Sequence, residues 1–188
     1  MFTINLNPES GKDKIPMDIL YTIEEKYLEA LEELDYGQPQ KAHYLLKEII
    51  QTEPDFARAH YQLGYIYHYR FKNYQTAGYY YESCISLEPE FPDVYVDHLS
   101  LLITLERHKM IDQTFKKALE VKGVCKSCIY ERMGLYAEKS MQWLEAGQYF
   151  QLAFINALIK EEKATINDHI ERLKEKKVQR SKFIYSIQ

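Results

Sequence analysis

The chain has 188 residues, 46% of them hydrophobic and 28% charged, with a net charge of −4. It is long enough to bury a continuous core, its acidic balance gives no general reason to expect a nucleic acid, and no stretch approaches the about 20 apolar residues that span a bilayer. Three cysteines without the spacing of a disulfide framework predict reduced thiols in a cytoplasmic protein. The opening MFTINLNPESGKDKIP lacks the basic start and apolar stretch of a secretory signal.

Residues 1–15 are polar and read as a flexible segment. Pro16 suits a first helical position, because its fixed φ matches the helix and its missing N–H is not needed there. A first helix is expected from Met17 to Asp35, with Leu20, Ile23, Tyr27, Leu31 and Leu34 on its apolar stripe. Helices follow at about 38–52, 57–70, 73–87, 92–106, 109–121, 126–140, 142–160 and 164–180. The last carries Ile166, Ile170 and Leu173 at helical spacing and charges elsewhere, which is how a repeat array is capped. These three should close the core against Phe150, Phe154 and Leu158. Beyond Arg180 the run Phe183–Ile187 is apolar and β-prone; left in water it would invite aggregation, so it should dock, by preference on its own chain.

The helices recur in pairs. Ala42 to Ala77 and Pro54 to Pro89 are both steps of 35, and Ile111, Phe115 and Ala118 follow Ala77, Tyr81 and Cys84 by 34 each. Gly134, Ala146, Phe150 and Ala153 mark a fourth unit, with Tyr130 and Met133 ahead of them. Small residues such as Gly64, Gly134, Ala77 and Ala146 let paired helices approach, and aromatics fill the space between pairs. The third unit departs: Leu99 and Ile111 stand where the others have small residues, which predicts altered packing there.

His60, Leu63, Gly64, Tyr67, Ala77, Tyr81, Cys84 and Pro89 fall where the tetratricopeptide repeat has its large, Leu, Gly, aromatic, Ala, aromatic, small and Pro positions, with one extra residue in the turn between Arg70 and Asn73. The chain resembles that family. The resemblance implies an all-α, right-handed superhelical solenoid of about four helix pairs, at about 16–55, 56–90, 91–125 and 126–160, capped by residues 161–188. It also implies a non-enzymatic scaffold whose first helices line a groove for a partner peptide or helix, as in adaptors and chaperones. The alternative is an assembly module that self-associates, as a homodimer for instance, through its outer faces or its C-terminal tail.

At about 100° per residue, Arg58, Tyr61, Tyr65, His68 and Tyr69 cluster roughly 150° from the packed face of their helix. With Tyr27 they predict an aromatic groove, since tyrosine joins large contact area to a hydrogen-bonding tip. The competing reading has these rings packing on the neighbouring repeat. Asp93 and Asp97 favour a neutral or basic stretch of partner, and Glu131 with Arg132 makes the fourth unit mixed. The family's cochaperones clamp a C-terminal carboxylate with Lys and Asn; Tyr27, Leu31, Gln62, Asp93 and Asp97 occupy those places here, and acids would repel that ligand.

Cys125 and Cys128 form one C-x-x-C at a helix start. No second such pair or H-x₃-H stands at a familiar spacing, so no metal or cofactor is expected. No phosphate loop or nucleophile motif argues for an enzyme.

Overall fold

A computed structural model describes the backbone of residues 22–186 and the side chains of 22–180. Among them run α1 (Ile23–Asp35), α2 (Pro39–Thr52), α3 (Ala57–Tyr65), α4 (Tyr74–Leu87), α5 (Asp93–Thr104), α6 (His108–Glu120), α7 (Lys126–Lys139), α8 (Trp143–Asn156) and α9 (Lys160–Ser186), with no strand. The odd-numbered helix of each pair packs on the even one that follows, and each pair meets the next. The core is accordingly three connected segments along the chain. One lies around Leu46 and Leu63, one around Tyr81, Leu99 and Ile111, and one around Phe150, Ile166 and Leu173. This is the quasi-one-dimensional architecture of a helical-repeat solenoid.

The close-approach glycines do what the pattern asks. A methyl group placed on Gly64 would lie 2.5 Å from the Tyr81 ring, and one on Gly134 2.5 Å from the Phe150 ring. Both rings are fully buried. At the same place in the third pair Leu99 is itself fully buried, and Phe115, the counterpart of those rings, is only half-buried. It turns instead to Tyr130 and Tyr149 of the next pair, at ring distances of 6.0 and 5.6 Å.

The turns inside pairs two, three and four share one device. Lys72, Glu106 and Met141 take positive φ (56°, 55° and 60°) at corresponding places. In the third and fourth the next residue reaches back five positions: Arg107 N–H to Leu102 at 3.0 Å, Gln142 N–H to Ala137 at 2.9 Å. This is the Schellman closure of a helix C-terminus, made without glycine. The second pair carries the extra residue seen in the sequence. It is absorbed by a π-helical turn, Ile66–Arg70, that continues α3, so Asn73 N–H reaches back six positions, to Tyr67 at 2.9 Å. The loops between pairs are tied too. His60 Nε2 bonds the Pro54 carbonyl at 2.8 Å, and Tyr95, 35 residues on, donates its hydroxyl to the Pro89 carbonyl at 2.6 Å.

Four expectations are corrected. The described part of the first helix begins at Ile23, not Met17. Thr22 is in extended backbone and forms a capping box with Glu25, its hydroxyl accepting the Glu25 N–H at 3.2 Å and its own N–H donating to Glu25 Oε2 at 2.8 Å. Pro16 and Leu20 lie outside the described residues. The eighth helix ends at Asn156 because Ala157 turns extended, and α9 starts at Lys160, four residues early. Glu162 closes that corner by accepting the Leu158 N–H at 3.2 Å. Consequently Leu158 is 92% exposed rather than in the core, while Phe150, Phe154, Ile166, Ile170 and Leu173 do pack together. At the C-terminal end the backbone stays helical to Ser186 instead of turning β-like; the docking of Phe183–Ile187 lies outside the described side chains.

The cap is held by charge as well as by apolar contact. Glu138 of α7, 5% exposed at its side chain, accepts from Arg172 at 2.6 Å and from Lys176 at 2.8 Å. Those cations hold its carboxyl down at about 2, Arg172 first, against the opposing effect of burial.

Candidate binding face

The first helices of successive pairs lie side by side, and the residues singled out in the sequence fall where they meet. Tyr27 of α1 is buried, its ring 5.3 Å from Phe56; Arg58 of α3 stacks over both rings at 5.8 and 5.3 Å and reaches Glu24 at 3.7 Å. Tyr27 is therefore a seam residue between the first two pairs rather than groove lining.

At the next seam Tyr61 and Tyr69 both donate their hydroxyls to Asp97 of α5, to Oδ2 and Oδ1, each at 2.8 Å. The tyrosines come from the middle of α3 and from its π-helical extension, about two helical turns apart, so the single carboxylate clamps the second half of one first helix to the next. Burial, and then the Asp97 charge, pushes both phenols well above the usual tyrosine range. They serve as neutral donors.

His68 is buried, stacked on Tyr69 at 4.1 Å, with Nδ1 3.4 Å from the Tyr81 hydroxyl; burial lowers its pKa. Its expected place on an open face is thus corrected. The π-helical turn rotates residues 66–70 relative to a regular helical wheel and swings this imidazole inward. Of the five clustered residues only Arg58 is exposed; Tyr61, Tyr65 and Tyr69 are all half-buried, and the first and last of these give their hydroxyls to Asp97. Tyr65 packs one side on Tyr69, ring centroids 4.8 Å apart, and its hydroxyl has no hydrogen-bond partner among the described residues.

Asp93 is exposed beside the clamp. Glu131 of α7 is engaged by His169 of α9 at 3.0 Å and by Arg132 at 3.6 Å. At the fourth seam Glu131 is thus hydrogen-bonded across to the cap, beside the Glu138 ion-pair cluster. The face reads, in order, Arg58, then Tyr65, then the Asp93–Asp97 acidic centre, then Arg132.

The cysteines differ from expectation. Cys125 and Cys128 are joined as a disulfide at the N-terminus of α7, where Cys125 Sγ also accepts the Cys128 N–H at 3.2 Å; only Cys84, which is buried, is a free thiol. The C-x-x-C spacing on the first helical turn brings the two sulfurs together, the Cα atoms being 5.3 Å apart. Among the described residues no helix is long and apolar enough to cross a membrane.

Residues 57–91 match the family model described as Tetratricopeptide repeat. No curated protein sequence matches the chain. Among solved structures it is similar to MamA, at 23% identity over 77% of this chain and 82% of that one, with a TM-score of 0.64. A human IFIT1 dimer with PPP-AAAA aligns at 20% identity and a TM-score of 0.76, over 85% of this chain and 40% of IFIT1. The Pseudomonas aeruginosa pilF protein aligns at 16% identity and a TM-score of 0.72, over 84% of this chain and 69% of that one. The chain carries a tetratricopeptide repeat at residues 57–91 and has the all-α helical-repeat fold of these structures.

Proposed function

We propose that the protein is a non-enzymatic interaction scaffold that lays a neutral or basic peptide, or one face of a partner helix, across its first-helix surface. The observation that carries this reading is Tyr65: a large half-buried ring, braced on one side by Tyr69, its hydroxyl without a hydrogen-bond partner among the described residues, near the acidic centre of Asp93 and Asp97. An aromatic held rigid before binding loses little entropy on binding, and a carboxylate pair beside it favours Lys or Arg in the partner. The same acidic centre speaks against a nucleic acid at this place, whose phosphates want cations; PPP-AAAA belongs to the IFIT1 structure. It also disfavours the carboxylate-terminal ligands of tetratricopeptide cochaperones.

Screening peptides of graded charge against the pure protein tests this. Basic sequences containing an apolar or aromatic residue should be selected. Tyr65→Ala should then weaken the selected peptides by ~1–3 kcal/mol, as hot-spot aromatics do, with an unchanged Tm. Asp93→Lys should turn the preference toward acidic peptides. Equal binding of acidic and basic peptides by the wild-type protein would refute the reading.

A second reading, self-association through an outer face, is favoured by one observation. Leu144, Ile155 and Leu158, on and just after α8, are 77%, 75% and 92% exposed. A single-species monomer by light scattering at high concentration would remove it.

A further inference from the structure

Two sulfurs and a carboxylate converge where the last helix pair meets the cap. Cys125 precedes α7, Cys128 lies in its first turn, and Glu162 comes from the first turn of α9. Cys128 and Glu162 are 34 residues apart. That is one repeat step, so stacking brings them to neighbouring places on adjacent helices. The two Sγ atoms and a Glu162 carboxylate oxygen lie within 4.8 Å of one another, all three residues half-buried. Cys128 and Glu162 also line a cavity of about 110 Å³, together with Ser127, Glu131, Thr165 and Ile166. The free thiol, Cys84, is buried elsewhere and does not compete.

We propose that the reduced form of this C-x-x-C, together with Glu162, binds one thiophilic divalent cation of the zinc type. A dithiol reductant supplies two electrons and two protons; the Cys125–Cys128 bond opens to two thiols and the reductant closes to its own disulfide. The cation then displaces both thiol protons and forms two metal–sulfur bonds and one metal–oxygen bond. The adjoining cavity leaves room for a water as the fourth ligand. Thiolate and carboxylate are both zinc donors, a C-x₂-C pair is a usual zinc spacing, and three protein ligands with one open position is the count of an open zinc site. The helix N-terminus and the N–H donated to Cys125 Sγ favour the thiolate form the metal needs. The expectation of no metal failed to see this set because the third ligand is far in sequence and near only through the repeat stack. The proposal is independent of the binding face.

The test uses the full chain reduced with a phosphine, desalted under nitrogen and titrated with Co²⁺. The expected result is one Co²⁺ per chain with sulfur-to-cobalt charge-transfer absorption in the near ultraviolet, abolished by added Zn²⁺. Tm should rise on metal addition, since the ion bridges α7 and α9. Cys125→Ser and Cys128→Ser should each lose the band, and Glu162→Gln should weaken binding by about tenfold or more. The air-oxidised wild-type chain, identical in sequence, should bind nothing, which guards against a variant that merely fails to fold. Absence of the band in reduced, folded protein would overturn the proposal. So would unchanged Co²⁺ affinity in Glu162→Gln, which would show a bare dithiol.

Discussion

The second and third helix pairs solve the same packing problem in opposite ways. In the second, Gly64 leaves a space that the Tyr81 ring fills, so helix backbones approach and the aromatic is wholly buried. In the third, Leu99 fills that space itself, and Phe115 is displaced toward Tyr130 and Tyr149 of the next pair. The fourth pair returns to the first solution with Gly134 and Phe150. The third pair therefore gives up close packing within itself and gains an aromatic link to its neighbour. A solenoid tolerates this because its stability sums contributions within and between units.

Substitutions at these places should break the comparison, with opposite chemistry on the two sides. Leu99→Ala opens a cavity in a site that depends on the leucine, and should cost ~2–5 kcal/mol by the shift in urea midpoint. Gly64→Leu and Gly134→Leu overpack, and should each cost ~1–3 kcal/mol. Equal tolerance of leucine at 64, 99 and 134 would show that the rings adjust freely.

A polar anomaly sharpens the same contrast. His98 of the third pair occupies the place of Leu63 in the second and Met133 in the fourth, 35 residues to either side. It is 4% exposed, and neither ring nitrogen has a hydrogen-bond partner among the described residues. Burial holds its pKa down at about 4. Between that value and the ordinary 6.5 the unfolded chain binds a proton that the folded chain refuses, so stability falls as pH drops through this window. The loss between pH 6.5 and 5 should be roughly 2 kcal/mol, at about 1.4 per unit. His98→Met should remove that dependence and raise stability at neutral pH. An unaltered slope in the variant would move the acid sensitivity elsewhere.

Much of this was legible from the residues. The 34–35 step placed the pairs, and Gly64, Gly134 and Leu99 announced their packing. The extra turn residue was visible, though not that a π-helical turn would absorb it and carry His68 inward. The Thr22–Glu25 capping box was in the sequence and was overshadowed by Pro16. The break at 157–159 was not legible, since Ala-Leu-Ile lacks any Gly or Pro; the packing of α9 on α8 decides it. Nor could one helix wheel reveal the acceptor of Tyr61 and Tyr69, because Asp97 lies 36 and 28 residues away on the adjacent first helix.

That clamp gives the smallest effect and the finest test of which tyrosines hold the fold and which are left for a partner. Tyr65 and Tyr69 are one helical turn apart and touch ring to ring, yet only Tyr69 gives its hydroxyl to Asp97. Tyr69→Phe keeps the ring and deletes the bond, so it should lower stability by ~1 kcal/mol, and Tyr61→Phe by a similar amount. Made together they should cost less than their sum if solvent enters to serve a half-exposed Asp97 once both donors are gone, and more if the carboxylate is left unsatisfied. Tyr65→Phe should leave stability unchanged. A drop in Tm for Tyr65→Phe as large as for Tyr69→Phe would mean that Tyr65 too belongs to the seam, and the first-helix face would lose the residue on which its binding role rests.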